Sequence, residues 1–167
     1  MSIAPIVLAL LAGCGPEVAG TGGVRLDDAG RLVAVLAWCE SFGAPTKIAL
    51  YAVHSDGSVG DPLLQLTRAG DAPAANYAEI PLAEPGPVWR ADGPMPALED
   101  EKSYEVRAWD STGERRVTSF PFTIAELRTT DPARPILTRT HVGDGRYDSS
   151  FAGAQEFQQA AVADCGG

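Results

Sequence analysis

Tyr104-Glu105-Val106-Arg107-Ala108-Trp109 alternates its side chains, Asp110-Ser111-Thr112-Gly113 supplies a turn, and residues 115–123 return. A period of two puts successive side chains on opposite faces of a strand, so this stretch predicts a β-hairpin. The same pattern recurs upstream. In Leu32-Val33-Ala34-Val35-Leu36-Ala37-Trp38 the residues Leu32, Ala34, Leu36 and Trp38 fall on one face. Residues 47–54 form another alternating run, closed by Ser55-Asp56-Gly57. Residues 24–26, 63–66, 77–82 and 88–90 are shorter candidates. A count of about seven short strands separated by turns predicts a mainly β protein built as a sandwich.

Leu98-Glu99-Asp100-Glu101-Lys102-Ser103-Tyr104-Glu105-Val106-Arg107-Ala108 resembles the E–F corner of fibronectin type III domains. In that family a leucine precedes by six positions the tyrosine that opens the F strand. The resemblance implies that Tyr104 is a buried corner residue whose hydroxyl bonds back to upstream backbone. Leu36-Ala37-Trp38 is similar to the B strand with its core tryptophan. The likeness runs over residues 24–122 and implies an immunoglobulin/fibronectin III-like sandwich for residues 24–123. A fold of this class carries no function by itself.

Residues 124–167 read as a C-terminal extension. Thr123-Ile124-Ala125-Glu126 fits a capping box, which starts a helical turn, and Pro132 and Pro135 stop it. Residues 135–142 are a possible added strand, with Gly143-Asp144-Gly145 as its turn. From Ser150 to Cys165 the period becomes helical. Phe151, Ala154, Phe157, Ala161 and Cys165 share one arc, Val162 borders it, and Gly166 is the expected cap.

Residues 3–11 are almost continuously apolar, too short for a bilayer span of roughly 20 residues but suited to the core of a signal peptide. The run leads into Leu11-Ala12-Gly13-Cys14, which resembles the bacterial lipobox. That resemblance implies cleavage before Cys14, a diacylglyceryl group on its thiol, removal of residues 1–13, and a chain held at a membrane outside the cytoplasm. The other reading is a buried first strand with Cys14 as a core thiol. Residues 14–23 (CGPEVAGTGG) are Gly-rich with little to pack and read as a flexible tether.

Three cysteines are present, Cys14, Cys39 and Cys165. With Cys14 lipidated, the other two are expected to form a disulfide in an oxidising compartment; two buried free thiols are the alternative. Cys39 follows Trp38 on the same run, so it points away from the sandwich core. A bond to a helical Cys165 then requires either that the helix lies on the outer face of that sheet or that the strand ends at Trp38, and a helix covering one sheet face is expected.

The chain has 167 residues and a net charge of −9, with 45% hydrophobic and 21% charged residues, which suits one globular domain and disfavours nucleic acid as a partner. No nucleophile elbow, phosphate loop or zinc-binding motif is found. His54 and His141 have no ligand spacing, and His54 beside Ser55 and Asp56 reads as a solvent-facing turn residue. Glu99-Asp100-Glu101 and the pair Asp144 and Asp148 read as solvated loop carboxylates, so no metal or other cofactor is expected. Tyr51, Trp89, Trp109 and Tyr147 are candidates for a ligand surface, with Trp109 and Tyr147 favoured, against a default of buried sandwich aromatics. The expectation is a non-enzymatic, lipid-anchored binding domain whose partner is a protein or glycan. Two alternatives stand beside it: an accessory subunit of an envelope complex docking through residues 124–148, and a small hydrolase with an unrecognised site.

Overall fold

A computed structural model describes residues 17–143 and 146–165. Cys14 and the lipobox residues lie outside the described residues, as do Asp144 and the Gly166 cap. The elements in chain order are β1 (Glu17–Val18), β2 (Gly20–Leu26), β3 (Leu32–Trp38), a single 3-10 turn (Glu40–Phe42), β4 (Lys47–Ala52), β5 (Leu64–Arg68), β6 (Tyr77–Pro81), β7 (Trp89–Ala91), β8 (Tyr104–Trp109), β9 (Arg115–Val117), β10 (Pro121–Phe122), α1 (Ile124–Leu127), β11 (Ile136–Gly143), β12 (Arg146–Ala152) and α2 (Ala154–Asp164).

These strands form two sheets. The first runs β1-β9-β8-β4-β5-β7, with β10 also paired to β8; the second runs β12-β11-β2-β3-β6. The protein is thus a mostly β sandwich with a short C-terminal helix, compatible with the immunoglobulin and fibronectin III class. Alternation builds the core between the sheets. Val24, Leu32, Ala34, Leu36 and Trp38 enter it from the second sheet, and Ile48, Leu50, Leu66, Val106 and Ala108 from the first.

All seven residues of β3 are buried, although only four can face the sandwich. The others, Val33, Val35 and Ala37, form a second apolar cluster with Ile136, Ala152, Phe157 and Ala161. Helix α2 therefore lies on the outer face of the second sheet, and Cys39 is bonded to Cys165 across that face. Seating the Phe157 side chain there is worth about 1.5–3 kcal/mol relative to leaving it in water. Tyr77 meets Phe157 edge-on at 6.2 Å. Beside it, Glu79 accepts from the Tyr77 hydroxyl and, at 2.8 Å, from Arg25 Nε.

Two expectations need correction. Residues 17–23 are not a tether. Ala19 N–H bonds the Arg116 carbonyl at 2.7 Å in the first sheet, Cys39 N–H bonds the Ala19 carbonyl at 2.9 Å in the second, and Thr118 N–H bonds the Gly20 carbonyl at 2.9 Å. The segment is the seam where the chain passes between sheets, and its glycines permit the close approach. A Cβ built on Gly20 would stand 2.2 Å from the Ala37 carbonyl oxygen, and one on Gly22 would stand 2.3 Å from that of Thr118.

The C-terminal extension is continuous with the sandwich: β11 joins the free edge of β2 and buries Ile136 and Leu137. The helix also begins later than its sequence period suggests. Phe151 and Ala152 are held in β12 by pairing with Leu137 and Ile136, and Ala154 is exposed, so the buried stripe reduces to Phe157 and Ala161. Cys165 follows this stripe but keeps solvent exposure.

Residues 115–123 divide into β9 and β10, because Thr118 leaves the β8 ladder to bond the seam: its Oγ1 accepts from Gly22 N–H at 3.1 Å. The capping box does form. Thr123 Oγ1 accepts from Glu126 N–H at 3.2 Å, and Glu126 Oε2 accepts from Thr123 N–H at 3.0 Å.

Tyr104 is 3% exposed, and its hydroxyl accepts a hydrogen bond from Glu99 N–H at 2.9 Å. This ties the start of β8 to the turn before it. Tyr104→Phe keeps the ring and leaves that N–H short of a partner, so a loss of about 1 kcal/mol is expected. Urea unfolding measures it; an unchanged midpoint and slope would show that the bond adds nothing.

Candidate functional site

The outer face of the first sheet combines aromatic and cationic side chains. The cause is alternation. In β8, Tyr104, Val106 and Ala108 point into the core, so Glu105, Arg107 and Trp109 point out. In β4, Ile48 and Leu50 point in, so Lys47, Ala49 and Tyr51 point out. Cross-strand pairing sets Lys47 opposite Trp109, Ala49 opposite Arg107 and Tyr51 opposite Glu105.

Trp109 and Tyr51 meet edge-to-face with centroids 6.4 Å apart and planes at 82°. The Arg107 guanidinium stands 5.2 Å from the centre of the Tyr51 ring. Beneath these three, Ala49 is 2% exposed even though it is on the outer face. A small residue at the centre of the patch thus seats the rings of its neighbours.

Glu105 is 8% exposed and well partnered. It accepts from Arg107 Nε at 2.8 Å, from Arg107 Nη2 at 2.9 Å and from the Ser119 hydroxyl at 2.5 Å. A buried carboxylate is tolerated when such donors surround it, and here they also hold Arg107 over Tyr51. Burial on the sheet face, opposed by Arg107 and aided by Glu105, pushes the Tyr51 hydroxyl above its ordinary pKa, so it stays neutral at physiological pH.

The other sequence candidates are scattered. Trp89 is 8% exposed and belongs to the core, which removes it from any ligand surface. Tyr147 and His141 lie opposite each other in the β11–β12 hairpin of the second sheet, far in topology from Trp109, and their side chains fall outside the described residues. His54 is exposed at its turn, where the Asp56 carboxylate accepts from Ser58 N–H at 2.9 Å and from the Ser58 hydroxyl at 2.6 Å. The Ser58 bonds hold Asp56 below the usual carboxylate range. Glu99 pairs with Lys102 at 2.6 Å, and Asp100 pairs with Arg128. Among the described residues no three His, Cys, Asp or Glu side chains are grouped to hold a metal.

Concavities lie elsewhere among the described residues. An open groove of about 520 Å³ lies between α2 and the β11–β12 hairpin, bordered by Phe151, Phe157 and the Arg134–Glu156 ion pair. A smaller one of about 180 Å³, between Arg31, Met95 and Arg128, sits at one end of the sandwich.

Sequence reading singled out Trp109 and Tyr51 and missed Lys47, Arg90, Arg107 and Arg116, which share their face. Alternation alone marks each cation as outward. Only strand register reveals that they lie side by side. No protein-family model, curated protein or solved structure matches the chain.

Proposed function

We propose that this chain is a lipid-anchored extracytoplasmic protein that binds, without catalysis, through the outer face of its first sheet. The observation that carries the binding half is one of charge. On a chain of net charge −9, four cations (Lys47, Arg90, Arg107 and Arg116) share this face with Trp109, Tyr51 and a single strand carboxylate, Glu105, which Arg107 already occupies. A cationic aromatic patch on an acidic protein favours an anionic or sugar ligand.

The Cys39–Cys165 bond supports an oxidising compartment. It accounts for the two cysteines left over when Cys14 carries lipid. The anchor itself rests on the lipobox-like Leu11-Ala12-Gly13-Cys14. Kinship with the fibronectin III class is favoured by the strand order β2-β3-β6 against β5-β4-β8-β9 and by the Tyr104 corner, with β11, β12 and α2 as additions.

Cys14→Ser tests the anchor. The substituted protein is expected to leave the membrane fraction or to remain uncut, while mass spectrometry finds acyl chains on Cys14 of the wild type. An intact, unmodified Met1 terminus on exported wild-type protein would overturn it. For the binding half, a panel of envelope glycans and proteins probed with wild type and with Lys47→Glu/Arg90→Glu should show ligands held by the first and lost by the second.

A further inference from the structure

We infer that the outer face of the first sheet holds an anionic polysaccharide, laid across the strands, with one acidic group per sugar pair. The inference rests on the binding reading above and names its ligand class. Arg116 pairs with Trp109, Trp109 with Lys47, Lys47 with Thr67, and Thr67 with Arg90. Residues directly opposite across a ladder point to the same side, so these five form one straight row on the outer face. Their chain neighbours Val117, Ala108, Ile48, Leu66 and Ala91 pack in or against the core, as alternation requires.

Cations therefore occupy every second strand. With strands about 4.8 Å apart, successive cations stand about 9.6 Å apart over a row of about 19 Å. This spacing matches the length of a β-linked disaccharide. Trp109 fills the first gap with an aromatic edge suited to the C–H face of a sugar ring, and Thr67 fills the second with a hydroxyl.

The three cations are available. Lys47 and Arg90 are exposed, while Arg116 is half-buried and its Nε is a buried atom without a hydrogen-bond partner. Among the described residues no carboxylate lies within 4.0 Å of any of them.

Other polyanions fit less well. An extended peptide needs partners for its backbone and finds them along a sheet edge, whereas a row across a face offers side chains alone. Nucleic acid places phosphates closer together than these cations, and the net charge of −9 opposes it. Membrane docking needs several apolar side chains to insert, and of the exposed large ones among the described residues (Val18, Leu63, Val142 and Val162) Val18 alone extends this row, opposite Arg116 on β1.

Hyaluronan, with one carboxylate per disaccharide, is the probe. The full-length chain is titrated at low salt with hyaluronan, with its methyl ester, with poly-glutamate and with phosphatidylglycerol vesicles. Hyaluronan is expected to bind, its ester to bind at least tenfold more weakly, and added salt to weaken the complex. Lys47→Ala and Arg90→Ala should each weaken binding about tenfold with the thermal midpoint unchanged, because each removes one charged contact of an exposed side chain. Arg146→Ala, on the edge of the other sheet, should not.

Absence of hyaluronan binding, or tighter binding of poly-glutamate or vesicles, overturns the polysaccharide. If the tighter ligand is still weakened by Lys47→Ala, the face remains a binding face and only its ligand class falls. If binding of every polyanion is indifferent to Lys47→Ala and Arg90→Ala, both readings fall.

Discussion

Reduction of the Cys39–Cys165 bond is expected to lower the unfolding free energy by about 5 kcal/mol, the loop-entropy value for a crosslink of this span. The two cysteines are 126 positions apart, so every element from β4 to α2 lies inside the closed loop, while β1, β2 and β3 precede it. An oxidised denatured chain is denied most of its extended conformations, and reduction restores them.

The bond also acts locally. Through it the C-terminal end of α2 is pinned beside the end of β3, while Phe157 and Ala161 are the buried apolar contacts of the helix. An isolated helix of eleven residues is marginal in water, so α2 depends on those contacts and on the crosslink. Urea unfolding with and without reductant, and of Cys39→Ala/Cys165→Ala, measures the global term. Hydrogen exchange measures the local one, and α2 amides should lose protection first. A loss under about 1 kcal/mol would mean that the denatured chain is already compact and that the crosslink adds little.

Gly22→Ala is expected to cost about 3 kcal/mol, at the upper end of what overpacking a well-filled site usually costs. The new Cβ would lie 2.3 Å from the Thr118 carbonyl oxygen and 3.5 Å from a Val117 methyl. Both neighbours belong to the seam between the sheets, and the closer one is backbone, which cannot rotate aside. Relief requires β2 and residue 118 to separate, which lengthens the 3.1 Å bond from Gly22 N–H to Thr118 Oγ1. A flexible tether would accept the same substitution silently. The thermal midpoint therefore separates a seam from a tether, and an unchanged midpoint would restore the tether. Gly23→Ala would crowd the buried side chains of Ile136 and Phe157 at 2.7 and 2.9 Å and the Leu137 carbonyl oxygen at 3.2 Å.

The sequence by itself determined the strand pattern, because alternation is local. The Tyr104–Trp109 hairpin strand, the Leu32–Trp38 strand and the capping box at Thr123 are all legible within a few residues. A helix over the outer face of this sheet was also legible, from an inward Trp38 and a bonded Cys39, although β3 itself ends at Trp38. One strand flanked by apolar residues on each side has to be covered on each side.

What tertiary structure alone decided is adjacency. Gly20, Gly22 and Gly23 look like flexibility until Ala37, Thr118 and Phe157 are seen against them, for a missing side chain carries no sign of what approaches it. The hairpin of β11 and β12 reads as an appendage until it joins β2. Arg116, Lys47 and Arg90 are outward-facing residues of separate strands until register places them in one row. The face a side chain takes is set by its own strand, with period two. The side chains beside it are set by strands tens of residues away, whose order and register depend on burying both sheets at once.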